Sequence, residues 1–316
     1  MGLFNNFPYP DTHQLNLDWI LSSVKELSTY VKERVDGIQK ALTDAQAAAT
    51  TAENSANSAQ IAATTAEEIA TELGDALGEI LLDNAGAHNA MYRGKNLGTR
   101  VTTEQWAAIA DGSFNDLYIG DYWVIGGVTW RIAAFDYYYN SGDTSCTTHH
   151  VVIVPDAPLY VYRINDSDIT TGGYIGSKMY TEGLDDAKTT ISFAFGPSHI
   201  LSHRQFLVNA VTNGKPSGCS WYDSRVELMN EQNVYGCKIF GVSNEGSTIP
   251  FLYTIDKSQF PLFSHNPSMI SNRQGFWLRD VVSASAFACV GSLGDSNYND
   301  VSGEIGVRPS FSITST

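Results

Sequence analysis

Apolar residues recur at alternating steps of three and four along the first quarter of the chain. They are Leu17, Ile20, Val24, Leu27, Val31, Ile38, Ala41, Ala45, Ala48, Ala52, Ala59, Ala62, Ala66, Ile69, Leu73, Ala76 and Ile80, with Arg34 and Ser55 as interruptions. A helix repeats about every 3.6 residues, so a stripe that stays apolar about every 3.5 can remain buried only where two or more helices supercoil. The pattern predicts a coiled-coil rod over residues 17–82, on the order of 95 Å long. Companion positions Val35, Leu42, Ala49, Ala56, Ala63, Ala70 and Leu77 are apolar too, which widens the stripe beyond a dimer seam and points to a parallel homotrimer. Oligomerisation is expected to rest on Ile20, Val24, Leu27, Val31, Ile38, Leu42, Ile69, Leu73 and Ile80, because the alanines between them bury only about one methyl group each, roughly 0.8 kcal/mol. A low-complexity linker is the competing reading of the Ala/Thr/Ser/Asn tract 45–65, but the register resumes in phase beyond it.

The pattern changes on both sides of the rod. Residues 1–16 bring together Phe4, Phe7, Tyr9, His13 and Leu15 with two prolines, and with Trp19 just inside the helix they read as a docking peptide, since solvated tails are poor in large aromatics. Glycines 86, 94 and 98 mark a hinge over residues 83–100. Residues 101–316 read as a mixed α+β domain. A short helix is expected at 103–110, and a hairpin at 122–134 turning on Gly126-Gly127. A buried strand is expected at 151–155, and further strands at 276–278, 286–290 and 310–313. Residues 202–213 read as an amphipathic helix stopped by Gly214, and 223–230 as a shorter one.

Composition narrows the function classes. The 316 residues leave room for one globular domain of about 200 residues after the rod. A net charge of −15 without a basic patch argues against nucleic acid as a partner. Acidic side chains crowd the later rod: Asp44, Glu53, Glu67, Glu68, Glu72, Asp75, Glu79 and Asp83 face no Lys or Arg between Lys40 and Arg93. No secretion signal is expected from the first residues, and no run of apolar residues is long enough for membrane insertion. Cys146, Cys219, Cys237 and Cys289 lack C-x-x-C spacing and read as small core residues rather than as metal ligands or disulfide partners.

Catalytic signatures are missing: there is no G-x-S-x-G elbow, P-loop or dinucleotide fingerprint, so no enzyme activity and no cofactor are expected. Asp295, Asn297 and Asn299 alternate as in the first half of a calcium loop, yet Asp300 and Gly306 stand where that loop needs glycine and glutamate, so a polar loop is the preferred reading and no metal is expected. His199 and His203 have the four-residue spacing of a zinc pair but lack the intervening acid and a third ligand. Asp185-Asp186 is an adjacent acid pair of the kind common on solvent faces. Glycan recognition needs aromatic faces beside amides and hydroxyls. Tyr137, Tyr138 and Tyr139 beside Asn140, and Tyr298 between Asn297 and Asn299, supply that combination in expected loops. Trp221 is a third candidate, with a core role as the alternative.

Several long blocks resemble a known family: 149–156 (HHVVIVPD), 171–180 (TGGYIGSKMY), 199–204 (HILSHR), 220–224 (SWYDS) with 226–231 (VELMNE), 276–283 (FWLRDVVS) and 306–311 (GVRPSF). Together they resemble the C-terminal heads of structural proteins from phages and prophages of gut Firmicutes, and are similar in outline to the C-type-lectin-like fold of phage receptor-binding tips. Phe7-Pro8-Tyr9-Pro10 and Leu15-Asn16-Leu17-Asp18-Trp19-Ile20-Leu21 look like the N-terminal anchor of appendages in short-tailed phages. The resemblance implies a homotrimeric virion fibre, assembled in the bacterial cytoplasm and bound at its N-terminus to a tail or capsid protein. Its lectin-like head would meet a host surface glycan or protein through Tyr137, Tyr138, Tyr139, Trp221, Asn297, Tyr298 and Asn299. A polysaccharide depolymerase and a purely structural capsid or collar decoration are the alternatives.

Overall fold

The computed structural model describes residues 17–81, 85–242 and 258–315, with the side chains of 75–81 outside that description. The docking segment with Phe4, Phe7, Tyr9, His13 and Leu15 therefore lies outside the described residues, as does the side chain of Ile80. The chain divides into two units, Met1–Ala76 and Leu77–Thr316.

One uninterrupted helix, α1 (Leu17–Leu81), fills the described part of the first unit. Most hydroxyls of its threonine- and serine-rich middle are satisfied within the helix. Thr43, Thr50, Thr51, Ser55, Ser58 and Thr64 all donate to the carbonyl four residues back at 2.9–3.1 Å. Among the described residues, the helix leaves most of its large apolar side chains open to solvent: Val24 is 58%, Leu42 50% and Leu73 68% exposed.

The second unit is β-rich with short helices. Residues 85–100, read as a hinge, are instead bound to it. The short helix α2 (Ala85–Asn89) buries His88, whose Nδ1 donates to the Leu117 carbonyl at 2.7 Å. Asn89 pairs with the Phe135 backbone through both ends of its amide. Strand β1 (Asn96–Gly98) runs parallel to β2 (Tyr122–Ile125), and Arg93 forks onto the buried Asp121 carboxylate. These residues hydrogen-bond through side chains as well as backbone, which ties the segment to the sheet.

Helix α3 (Thr103–Ala110) starts where a capping box closes it, Thr102 accepting from the Gln105 amide while Gln105 reaches back to the Thr102 amide. The hairpin of β2 and β3 (Val128–Phe135) turns on Gly126 and Gly127, both with positive φ, as a two-residue connection requires. Strand β4 (Val151–Pro155) follows β3 antiparallel, and β13 (Pro309–Ile313) and β8 (Val226–Leu228) complete a sheet of order β1-β2-β3-β4-β13-β8. A second sheet has the order β11-β10-β9-β12-β5, from β5 (Tyr160–Tyr162), β9 (Phe276–Val281), β10 (Ala286–Val290), β11 (Ser296–Asp300) and β12 (Ile305–Val307).

The central strands β9 and β10 of the second sheet are buried on both faces, so their apolar residues do not alternate with exposed ones. Phe276, Leu278, Ala288 and Val290 point into one core with Trp130, Phe135, Val152 and Phe311. Their neighbours Trp277, Val281, Phe287 and Cys289 point into another with Leu207, Tyr174 and Val307. Helix α4 (Asp185–Phe195) closes the first core: Phe195 meets Trp130 edge-on with ring centroids 5.7 Å apart. Short helices α5 (Glu231–Tyr235) and α6 (Pro261–His265) cap the unit. Buried Arg308 lies against the faces of Phe263 and Phe276 and donates to the Pro155 carbonyl at 2.8 Å.

Strand expectations at 122–134, 151–155, 276–278, 286–290 and 310–313 match the elements found, but the two later helices do not. Residues 202–213 form β6 (His203–Thr212), paired over ten residues with β7 (Lys215–Ser224). Asn213 and Gly214 both take positive φ and make the tight hairpin turn, and the buried set His203, Gln205 and Leu207 follows the period of a strand. Residues 223–230 run through the end of β7 and β8. Asp185-Asp186 opens α4 at its N-terminal turn, where acids complement the helix dipole. Among the cysteines only Cys289 is a core residue; Cys237 is exposed and the other two are half-buried.

Candidate functional site

The three consecutive tyrosines have three different fates. After β3 the chain turns sharply at Asp136, whose φ is 50°, and its carboxylate accepts from the His150 amide at 2.8 Å and from His149 Nδ1 at 2.6 Å. Tyr138 is buried, not displayed: its ring stacks on His203 at 3.8 Å and its backbone N–H donates to His150 Nε2 at 3.0 Å. Tyr137 leans on Phe260, donates its hydroxyl proton to the Ser258 carbonyl and accepts from the Asn233 amide. Tyr139 stacks face to face on His149 at 4.8 Å and is half-buried.

The Asn297-Tyr298-Asn299 segment is an edge strand, β11, rather than a loop. Alternating residues of a strand point to opposite faces, so Asn297 and Asn299 share a side of the sheet that Tyr298 does not. Tyr298 is 52% exposed and meets Phe240 at 5.2 Å edge to face. A buried side chain holds this pair together. The Glu231 carboxyl oxygens accept the amides of Ile239 at 2.9 Å, Phe240 at 3.0 Å and Gly241 at 2.8 Å, and the Ser296 hydroxyl at 3.1 Å. Glu231→Gln replaces an acceptor by a donor aimed at those N–H groups. We expect it to cost about 3 kcal/mol, measured as a lower chemical-denaturation midpoint of the C-terminal unit. An unchanged midpoint would show that the clamp contributes little.

Trp221 lies in β7, directly opposite Phe206 on β6, with ring centroids 5.3 Å apart. It is half-buried in this cross-strand pair. The sequence-derived aromatic candidates thus belong to the end of one sheet, the edge of another and a separate hairpin. His199 and His203 share no helix face: His199 stacks on Trp106 at 4.0 Å and donates to the Thr314 carbonyl, while His203 is inside β6.

A site that the sequence does not announce lies at the start of the β6–β7 hairpin. An open cavity of about 370 Å³ is lined by the loop 144–148, the segment 201–204 and Asp223. Arg204 bridges its sides, with Nε 2.7 Å from Asp143 and Nη1 3.0 Å from Asp223. These carboxylates hold the guanidinium pKa above its ordinary value. His203 lines the same cavity and is only 6% exposed. Its Nε2 takes a hydrogen bond from the Gln205 amide at 2.9 Å, leaving Nδ1–H without a hydrogen-bond partner; the Gln205 carbonyl oxygen has none either. Burial, with His150 and then the positive charge of Arg279 nearby, pushes the His203 pKa down to about 3. The density of Ser, Thr, Gly and Asp in 140–148 marks a loop in the sequence, but not its meeting with a hairpin.

A smaller cavity of about 260 Å³ adjoins across Asp223, between α4 and β8, with Tyr180, Lys188, Arg225 and Glu227 on its walls. The Glu227 carboxyl accepts from the Tyr174 and Ser224 hydroxyls, and burial raises its pKa.

Among the described residues no cluster of three or more His, Cys, Asp or Glu side chains could hold a metal ion, and no helix is long and apolar enough to cross a membrane. Comparisons with protein-family models, curated proteins and solved structures find no match to this chain.

Proposed function

We propose that this chain is the subunit of a homotrimeric phage fibre. In this reading residues 1–16 dock on a tail or capsid protein, α1 forms one strand of a parallel coiled coil, and the C-terminal unit is a lectin-like head that adheres to the host surface. The observation that carries it is the exposure of α1. Val31 is 50%, Ile38 68% and Ile69 59% exposed, in the register that only a supercoil buries. Each such side chain yields about 1.5–3 kcal/mol when removed from water. Val35 and Leu42, 54% and 50% exposed beside the seam, favour three strands over two. The half-exposed Tyr298, set edge to face beside Phe240, supports adhesion by aromatic stacking.

Sedimentation equilibrium of the full chain tests the assembly: three chain masses are expected, and a monomer would end the reading. Adhesion to host cells tests the head, and sustained release of reducing sugars from host wall material would replace adhesion by depolymerisation. The acidic tract from Asp44 to Asp83 adds a dependence on salt. Parallel copies repel along it, so raising NaCl from about 10 mM to about 1 M, which shortens the screening length severalfold, is expected to raise the melting temperature of the helical signal. Insensitivity to salt would contradict a parallel arrangement.

A further inference from the structure

We infer that the cavity at the start of the β6–β7 hairpin is a binding site for a neutral, polyhydroxylated ligand, a sugar ring in chemical terms. The inference rests on the fibre reading for the ligand's source, a surface glycan, and on the cavity's own chemistry for its class.

The volume of about 370 Å³ falls within the range of small-molecule sites. Its lining is dense in hydroxyls: Thr144, Ser145, Thr147, Thr148 and Ser202 each offer one donor and two acceptor lone pairs, which suits a ligand that carries both functions on every carbon. Charge selects the class. The one cation in the lining, Arg204, is spanned by Asp143 at 2.7 and 3.1 Å and by Asp223 at 3.0 Å, so an anion entering here meets carboxylates instead of an open guanidinium. A neutral polyol meets no such opposition.

The third observation is the pair of partnerless polar atoms beneath. His203 Nδ1 and Gln205 Oε1 are buried, on adjacent inward positions of one strand, and neither has a hydrogen-bond partner. Buried polar groups in folded proteins are nearly always paired, and an orphan is costly to keep. His203 belongs to the cavity wall and Gln205 lies behind it, so the orphan nitrogen comes within reach of a ligand hydroxyl only if that wall yields when the ligand binds. Tyr138, stacked on the imidazole at 3.8 Å, fixes the ring plane.

The test uses the full chain and saturation-transfer NMR with calorimetry. The neutral probes are glucose and N-acetylglucosamine, and the anionic probes are glucuronate and glycerol phosphate. We expect binding of a neutral probe, no binding of the anionic ones, and at least tenfold weaker binding in Thr147→Val/Ser202→Ala, whose side chains are exposed and whose substitution leaves the fold intact. His203→Phe removes an imidazole from the cavity wall and also the acceptor of the buried Gln205 amide, so its melting temperature at pH 7 is expected to fall along with binding. The Thr147→Val/Ser202→Ala variant, which touches neither, separates the two effects. Preference for an anionic probe, absence of binding by every neutral probe, or unchanged binding in both variants would overturn the inference. Oligomeric state and cell adhesion of the same preparations separate the two levels. A trimer that adheres equally with and without Thr147→Val/Ser202→Ala leaves the fibre standing and removes this site. A monomer that still binds sugar through the cavity does the reverse.

Discussion

Val31→Asp combined with Ile38→Asp is expected to dissolve the oligomer into monomers and to remove most of the helical signal of α1. The two residues are one heptad apart and stand at the same seam position, 50% and 68% exposed on the single helix. In a trimer each substitution brings three carboxylates together on the axis. An unpaired charge out of water costs several kcal/mol even after relaxation, and like charges add repulsion. The alanine-rich middle cannot compensate, because its seam buries about one methyl group per position. Helices without a packed face are marginal in water, so the 65-residue helix is expected to melt when its partners leave. Circular dichroism at 222 nm and sedimentation read both effects, with Thr29→Asp as the control, since Thr29 lies off the stripe and is exposed. A double variant that stays oligomeric and helical would place the interface elsewhere.

Acid is expected to destabilise the C-terminal unit through its two buried histidines. Burial lowers the pKa of His150 despite the nearby Asp136, and holds that of His203 at about 3, whereas both titrate from 6.5 when unfolded. The folded state therefore keeps them neutral while the unfolded chain takes up protons. Their stabilising contribution is complete above 6.5 and is lost as pH falls toward the folded value, by up to about 1.4 kcal/mol per pH unit for each fully shifted group. The groups facing His203 are Tyr138, Gln205, His150 and the cationic Arg279, none of which favours its protonation. Glu227 and Asp280 act in the opposite sense, because burial raises both carboxyls and their protonation favours the fold at low pH. His203→Phe isolates the histidine contribution. Its melting temperature is expected to decline less than that of the parent between pH 6.5 and pH 4, and parallel declines would show that His203 does not carry the acid sensitivity.

Local strand and turn chemistry was legible wherever one short rule decided the outcome. The Gly126-Gly127 turn, the capped helix at α3 and the uniformly apolar runs of β4 and β10 needed nothing beyond their own residues. The β6–β7 hairpin reads as a helix from the sequence because its apolar residues also satisfy a helical spacing, and Gly214 serves equally as a helix stop or as half of an Asn-Gly turn. Pairing with β7 settles the choice. The exposure of the aromatic candidates was not legible for a related reason: adjacency in sequence does not distinguish a displayed ring from a buried one. Tyr138 and Tyr139 are neighbours, yet one is stacked inside on His203 and the other half-buried against His149.

By itself the sequence determined that residues 17–81 are one long helix with an apolar stripe in heptad register, and that a mixed α+β unit follows, because period and capping are properties of neighbours along the chain. Only the tertiary structure decided that residues 85–100 belong to that unit and that β11 is an edge strand. It alone brought a hydroxyl-rich loop, an arginine held by two carboxylates and a histidine with an unpaired nitrogen to one cavity. Those contacts join residues that are tens of positions apart in the chain, and long-range burial and pairing, unlike period, leave no local trace in the order of the residues.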